Sequence, residues 1–384
     1  MMNKIPKGWE VKKLGEIFNI VTGKTPSKKI REYFNGNIPF VKPSDLDLSD
    51  YIENSEDTLT QDGFKKAPFI PKNSVLVSCI GNLGKKAILK QNGSCNQQIN
   101  AILPNSNFDM KFVFYYIDII KPWMKQNASA TTIPILNKSR FEQIPFIYPN
   151  LVEQKAIVDK LDDSFAKIEN AITNLINAKE NLKLYKQSVL KSAFNGDLLP
   201  STSPTQRKKV KFEDVLKYEQ PTKYIVKSTK YNNDFKTPVL TAGKGFILGY
   251  TDETEGIFTN TPVIIFDDFT TSSQYVNFHF KVKSSAMKIL RPVDNVNLKF
   301  LFYKMQTIQH KSDTHKRYWI SEYAKLEIPL PPLSEQNLIV AEIDRRFAIV
   351  DKTLNLIDKS IQNAKNLKQS ILKKAFSGEL RSEI

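Results

Sequence analysis

The sequence predicts an α+β protein: two globular α/β domains joined by two long antiparallel helices that form a coiled coil, with an internal pseudo-two-fold symmetry. Three observations predict it: a stretch that occurs twice, a heptad seam inside each copy, and a similar series of short strands ahead of each copy. Residues 151–198 begin LVEQKAIVDKLDDSFAKIENAI and end YKQSVLKSAFNGDL. Residues 333–380 begin LSEQNLIVAEIDRRFAIVDKTL and end LKQSILKKAFSGEL, aligning without a gap 182 positions later. Both copies open on an LxEQ box (Leu151, Glu153, Gln154; Leu333, Glu335, Gln336) and close on KQSxLKxAFxG. A repeat of this length has to be settled before any fold is assigned.

The spacing of apolar residues within each copy alternates by three and four. In the second copy it runs through Ile343, Phe347, Val350, Leu354, Ile357, Ile361 and Ala364, then Ile371 and Ala375, with Lys368 at a skipped seat. In the first it runs through Leu161, Phe165, Ile168, Ile172, Leu175, Leu182, Val189 and Ala193, with Lys179 and Lys186 at two seats. This is an a/d seam rather than the broader stripe of a surface helix. No Pro or Gly interrupts either copy before Gly196 and Gly378, which stand where a helix C-cap glycine belongs. Each helix is about 40 residues, or roughly 60 Å long at 1.5 Å per residue. One such helix cannot bury its seam alone, but two can bury each other.

The remaining elements follow in order. Residues 1–150 form a first domain that opens with IPKGWEVKKLGEIFNI, a strand and turn. Apolar runs at 38–46, 74–81, 85–90 and 96–104 alternate with Gly, Asn, Pro and Asp and read as strands. KFVFYYIDII (111–120) reads as a helix ended by Lys121–Pro122, and 126–140 as a polar loop. The first long helix occupies 151–199, and 200–209 is a linker rich in Pro, Ser, Thr and basic residues. A second domain, 210–332, repeats the plan. KVKFEDVL (209–216) echoes EVKKLGEIF without its Gly-Trp pair, strands fall in 236–251 and 261–276, and KFLFYKM echoes KFVFYYI. The second long helix is 333–384. Antiparallel pairing puts the two helix starts, and so the two domains, at opposite ends of the rod. Parallel pairing would make the second domain span about 60 Å.

Composition narrows the function. The chain has 384 residues, 41% apolar, and a net charge of +16, which suits an anionic partner. Residues 1–150 carry +7 and residues 201–332 carry +7, whereas the two repeats carry 0 and +2. The excess lies on the segments between the helices. Two cysteines, Cys79 and Cys95, fit a reducing compartment. The N-terminus has no apolar signal region and no run approaches a membrane span, so a cytoplasmic location is expected.

Motifs for chemistry are missing. GNLGKK (81–86) lacks the phosphate-loop spacing and reads as a turn. His279, His310 and His315 complete no metal set. Asp267–Asp268 sit beside Thr270, Thr271, Ser272 and Ser273 and read as a polar loop rather than a metal-binding pair. No catalytic constellation or cofactor motif stands out.

The PKGWEVKKLGEI opening, the proline-rich junctions ending in LxEQ and the paired KQSxLKxAFxG helix ends resemble the specificity subunit of type I restriction-modification systems, over nearly the whole chain. Junction one reads IYPNLVEQ where PLPPLSEQ is more usual, and the second domain lacks the Gly-Trp opening. The resemblance implies two target-recognition domains, each reading one half of a bipartite DNA sequence, and helices that set the spacing. It implies a non-catalytic chain. The implied partners are double-stranded DNA, two methyltransferase subunits that bind S-adenosylmethionine, and nuclease-translocase subunits that use ATP and Mg. Two alternatives are a stand-alone DNA-modifying enzyme, which would need a Gly-rich cofactor loop, and a coiled-coil scaffold without DNA binding, which the segregated charge opposes.

DNA reading needs cations for phosphates and Arg, Lys, Asn or Gln for base edges. In the first domain the candidates are Lys24, Lys28, Lys29, Arg31, Lys42, Asn82, Lys85, Lys86, Gln97, Gln98, Lys138 and Arg140. In the second they are Lys236, Lys244, Gln274, Tyr275, Lys311, His315, Lys316 and Arg317. The densest groups are KPSD with NQQ, and TTSSQY with HKSDTHKRYW.

Overall fold

The computed structural model describes residues 5–129, 132–199, 207–241, 245–308 and 317–380. It divides into two compact units, one built from residues 1–174 and 360–384 and the other from 175–359. Both long helices therefore contribute to both units.

The first unit opens with β1 (Glu10–Lys13), the one-turn helix α1 (Leu14–Ile17), β2 (Ile20–Thr22), β3 (Phe34–Val41), β4 (Tyr51–Ile52) and β5 (Thr58–Leu59). The short helix α2 (Gln61–Phe64), β6 (Val75–Ser78), β7 (Lys86–Leu89), β8 (Ser94–Cys95) and β9 (Ile99–Ile102) follow. Then come α3 (Met110–Asn127), α4 (Lys138–Glu142), β10 (Pro145–Tyr148) and the long α5 (Leu151–Asn195). One sheet runs β2-β9-β6-β7-β4, a second β5-β3-β8, and β1 pairs with β10 as an antiparallel ribbon. On β6, Val75 and Val77 enter the core shared with the helices while Leu76 enters the core on the opposite face. Both faces of that strand are buried, which is why VLV reads as a continuous apolar run.

The second unit repeats the plan with β11 (Lys208–Lys211), α6 (Phe212–Val215), β12 (Leu216–Glu219), β13 (Thr237–Leu240), β14 (Ile247–Thr251) and β15 (Val263–Asp267). It continues with β16 (Ser273–Val276), β17 (Lys281–Val282), β18 (Met287–Pro292), α7 (Leu298–Met305), α8 (Tyr318–Ser321), β19 (Glu327–Leu330) and the long α9 (Leu333–Phe376). Its sheets run β12-β18-β15-β16 and β14-β13-β17, with β11 paired to β19. This is the first unit's order without a counterpart of β4. In both units the central strand of the small sheet pairs antiparallel on one side and parallel on the other.

The strand expectations hold, and so do the long helices with their glycine ends: Gly196 and Gly378 take φ of 96° and 77°, the left-handed region a C-cap requires. Some boundaries differ: β11 begins at Lys208, inside the expected 200–209 linker, and α4 begins at Lys138, inside the expected 126–140 loop. Helix α3 does not stop at Lys121–Pro122 but runs to Asn127. Pro122 is exposed, so the hydrogen bond it forfeits lies on the solvent side, while Met124 beyond it is fully buried. Packing outweighs the proline cost here. The N-caps behave as their residue types dictate. Asp109 accepts from the amides of Lys111 and Phe112, and Asn297 accepts from those of Lys299 and Phe300.

Every predicted seam residue is buried or half-buried. The lysines at seam seats reach across to acids. Lys368 bonds Glu169 at 2.5 Å in the first unit, while in the second Lys179 bonds Asp358 at 2.6 Å and Lys186 bonds Asp351 at 2.5 Å. Residue numbers rise on one helix by as much as they fall on the other, the mark of antiparallel pairing in constant register. Lys368 also lies over the Phe165 ring and Lys186 over Phe347, at 4.6 and 4.8 Å. The 182-residue offset exchanges these two arrangements. Among the described residues no helix is long and apolar enough to cross a membrane.

Candidate nucleic-acid interface

Each unit has a junction, where its sheets meet the long helices, and a set of loops at the sheet ends. The LxEQ box builds the junction. Gln154 is 1% exposed. Its amide donates to the Pro149 carbonyl at 2.9 Å and accepts from the Asp109 amide at 3.0 Å. Gln336 makes the same two bonds, to the Pro331 carbonyl at 2.9 Å and from the Asn297 amide at 2.8 Å. Glu153 accepts from the Trp9 indole at 2.9 Å, and Glu335 from the Arg207 guanidinium at 2.7 Å. Two turns past each glutamine, Asp162 takes Lys111 at 2.8 Å and the Tyr115 hydroxyl at 2.5 Å, and Asp344 takes Lys299 at 2.7 Å and Tyr303 at 2.5 Å. Burial is the largest single influence on Lys111 and opposes its charge, but the bond and the charge of Asp162, together with Tyr51 and Asp50, outweigh it and hold the ammonium above its ordinary pKa. Burial and the adjacent carboxylates push the Tyr115 and Tyr303 hydroxyls upward.

The far end of the opposing helix completes each core. Phe376 is fully buried with its ring 4.9 Å from Phe112 and 5.4 Å from Tyr116. Phe194 stands 5.2 Å from Phe300 in the other unit. This explains why the two helix ends share the KQSxLKxAFxG pattern. None of these junction roles was assigned from the sequence. The signal was present in the KFxFY echo, which carries both Lys111/Lys299 and Tyr115/Tyr303, and in the repeated Asp162/Asp344.

In the first unit several chain segments converge at one end of the sheets. Gly23 donates to the Ile99 carbonyl at 3.0 Å and Lys24 to that of Cys95 at 3.0 Å. A Cβ at Gly23 would stand 2.1 Å from the Asn96 carbonyl oxygen, so only glycine permits the approach. Thr25 donates to the Gln97 side chain at 2.8 Å, and the Asn96 amide to the Val41 carbonyl at 3.0 Å. Lys85 reaches the Pro43 carbonyl at 3.3 Å, Cys79 donates to Gln98, and Gly81 to Pro134. The KPSD and NQQ groups are thus neighbours, as their grouping required.

Lys24 at this end, and Lys28, Lys29 and Arg31 in the segment after it, are exposed and form no ion pair among the described residues. Asn82 and Gln97 are exposed, and Gln98 is half-buried and accepts from Asn96. Lys42 is half-buried and paired with Asp57. Lys138 and Arg140 lie on α4, where Lys138 faces Glu142 at 3.5 Å and Arg140 donates to the Asn127 carbonyl at 3.1 Å. No described bond ties these two to the converging loops.

Lys86 corrects the sequence reading. It opens strand β7 and is 6% exposed. Its ammonium bonds the Phe114 carbonyl and Asp118, each at 2.7 Å, and lies 3.8 Å from the Phe114 ring centroid. Burial lowers its pKa to about 8 despite Asp118. A side chain held this way is a strut between sheet and helix, not a DNA contact. Lys85, half-buried beside it, keeps one polar contact at the loop end.

In the second unit, the Lys283 amide donates to the Leu240 carbonyl at 2.9 Å, matching Asn96 and Val41. The turn after β15 meets the segment that follows Arg317. Tyr318 donates to the Asp268 carbonyl and the Trp319 amide to the Asp268 carboxylate, both at 2.9 Å. Tyr318 and Trp319, the end of the second sequence group, are thus tied to Asp268, two residues ahead of TTSSQY; residues 310–316 of that group lie outside the described residues. Lys244, Lys311, His315 and Lys316 lie outside the described residues. Lys236 and Arg317 are exposed. Gln274 is exposed, and Tyr275 is half-buried with its ring 5.9 Å from Phe302. Both stand on strand β16 rather than in a loop, because SQYV pairs with Val263–Phe266.

The Asp267–Asp268 pair is not a free polar loop. Both residues are buried. Asp267 caps the turn, accepting from the Phe269 amide and the Thr270 hydroxyl, and Asp268 stands 3.2 Å from the fully buried Lys288 ammonium. Among the described residues no group of three metal-ligating side chains forms.

The comparisons with known proteins agree with this architecture. A segment of the chain is 46% identical over 149 residues to the EcoR124I/EcoR124II specificity subunit of Escherichia coli, covering 35% of this chain and 37% of that one. The chain spans about two fifths of the length of the first three curated relatives it matches. The EcoDI specificity subunit of Escherichia coli is 24% identical over 428 residues, covering 99% of this chain and 90% of its own. A solved chain described under complex assembly and conformational transition of the type I R-M system superposes with a TM-score of 0.80 at 20% identity, covering 98% of this chain and all of its own. The family model for the type I restriction modification DNA specificity domain matches twice, at residues 6–178 and 204–364. The chain belongs to this family of type I restriction-modification specificity proteins.

Proposed function

We propose that this chain is the non-catalytic, DNA-reading subunit of a type I restriction-modification complex. Each domain reads one half of a bipartite target with its sheet-end loops. The paired helices set the spacing between the halves and dock two methyltransferase subunits, to which nuclease-translocase subunits add. S-adenosylmethionine, ATP and Mg belong to those partners. The observation that carries this reading is the convergence of the loops at 23–25, 42–45, 79–85 and 96–98 on one end of the first domain's sheets. There the exposed Lys24 adjoins the Thr25–Gln97 bond, and the exposed Lys28, Lys29 and Arg31 follow it in the chain, none of the four in an ion pair among the described residues. Free cations next to an amide that can address adenine are the two ingredients of affinity and base reading. The second unit's repeated topology supplies the second reader.

The test is a gel shift against random genomic fragments at several salt concentrations, with and without the methyltransferase subunits. The expected result is salt-dependent binding that becomes sequence-selective in the complex. Methylation by the full chain on its own would favour a stand-alone enzyme. No retention of DNA in either form would favour a scaffold.

A further inference from the structure

We infer that Gln154 with Asp162, and Gln336 with Asp344, are positioning residues that set how strictly the complex selects the gap between its two half-sites. The inference rests on the bipartite reading proposed above.

Each pair holds the helix that ends its domain's sheets, α3 or α7, at two points along a long helix. The first point is the glutamine amide, which joins the chain leaving the closing strand to the N-cap of α3 or α7. The second is the aspartate eight residues on, which takes a lysine and a tyrosine from the same helix. Eight residues are roughly 12 Å of helix. Two attachments at that separation remove the rocking that one attachment leaves free.

The arrangement is reproduced bond for bond in both units, with lengths that agree to within 0.2 Å. The domains around it differ in sequence and strand count. A core needing only burial at this place could use any apolar side chain. A glutamine that is 1% exposed in both units and bonds two separate backbone segments is a device for direction.

The magnitudes make the effect visible. A compact domain of this size has a radius of gyration of roughly 14 Å, which for a sphere means about 36 Å across, so its far face stands about 36 Å from the junction. One base pair rises about 3.4 Å. A tilt of only about 5° at the junction therefore moves the reading loops by about one base pair. Loosening either clamp should let one complex accept gaps one base pair shorter or longer.

The experiment uses the full chain co-expressed with its methyltransferase subunits and a random-sequence duplex library, with bound molecules sequenced. Variants are Gln154→Met, Gln336→Met and the milder Asp162→Asn and Asp344→Asn, which alter half-exposed groups and keep the fold. The wild type should recover two fixed half-sites at one gap. Each variant should recover the same half-sites, with reads at the neighbouring gaps raised at least tenfold relative to the main gap. A uniform loss of binding with an unchanged gap distribution in the folded variants would overturn the clamp and leave the bipartite reading intact. A wild type that recovers no gapped sequence would overturn the bipartite reading itself, and the clamp with it.

Discussion

At the junction of the first unit, Glu153 accepts a hydrogen bond from the neutral indole of Trp9; at the junction of the second, Glu335 takes the charged guanidinium of Arg207. Between sheet and helix the exchange runs the other way. Lys86 and Asp118 form an ion pair in the first unit, where the second uses the neutral amide of Gln306 on the Ser273 hydroxyl at 2.8 Å. The strand register and the echo of α3 in α7 put each of these pairs at matching places. Geometry is kept while chemistry is traded. The two halves thus share a plan of attachment points rather than a set of side chains, and differences in charge can be used to probe one half at a time.

The comparison is broken most severely at the helix ends. Phe376→Ala should destabilise the first unit by about 3–5 kcal/mol, because the ring is fully buried against Phe112 and Tyr116. Phe194→Ala should cost the second unit somewhat less, since that ring is 8% exposed. Urea unfolding followed with probes in each unit checks both. Equal loss in both units from either single change would deny that each ring serves its own core.

A second pair of substitutions sharpens the contrast at the junction. Glu335→Ala strands the guanidinium of Arg207, whose side chain is 7% exposed, and should cost about 3–5 kcal/mol. Glu153→Ala removes the acceptor of the Trp9 indole N–H, a neutral donor, and should cost about 1–3 kcal/mol. Thermal melts of the two variants give the order. The reverse order would mean that the ion pair contributes less than its burial suggests.

Surface charge is expected to divide along the same lines. Replacing Lys24, Lys28, Lys29 and Arg31 with Ala should flatten the slope of log affinity against log salt by about 0.9 for each phosphate that is no longer neutralised. Replacing Lys138 and Arg140, whose charges are already engaged by Glu142 and the Asn127 carbonyl, should change it little. Filter binding at several salt concentrations compares the two sets.

The smallest effect is a pH dependence confined to the first unit. The folded pKa of Lys86 lies near 8, below the ordinary lysine value of 10.5. Between those values the unfolded chain holds a proton that the folded chain has released, so stability rises with pH across that window. The wild type should therefore gain on Lys86→Met as pH increases from 8 to 10.5. Ser273→Ala, which touches the neutral counterpart, should show no such window. Parallel lines for wild type and Lys86→Met would mean that Lys86 keeps its charge in the fold.

The repeat, the seam and the helix ends were legible because helical periodicity survives in one dimension: Ile343 and Leu161 had to share a side with their heptad neighbours wherever the chain went. The strands were legible for the same reason. Pairings between distant segments were not. Lys86 looked like a surface lysine because its two partners lie on α3, 28 and 32 residues away. Arg207 was hidden by the composition of 200–209, which reads as linker although its arginine is tied to Glu335. Lys24 and Gln97 meet only because Gly23 lets two backbones touch, which no local pattern announces. Proline at 122 misled because its cost depends on which side of the helix faces water.

The central claim is that each unit is a separate reader carried on its own junction, built to the same plan in both. The most direct measurement replaces residues 20–104 with the corresponding segment of a relative, leaving α1, α3, β10 and the clamps in place, and profiles methylation across a host genome. The account predicts that one half of the methylated sequence changes while the other half and the gap stay as they were. A change in both halves, or in neither, would contradict it.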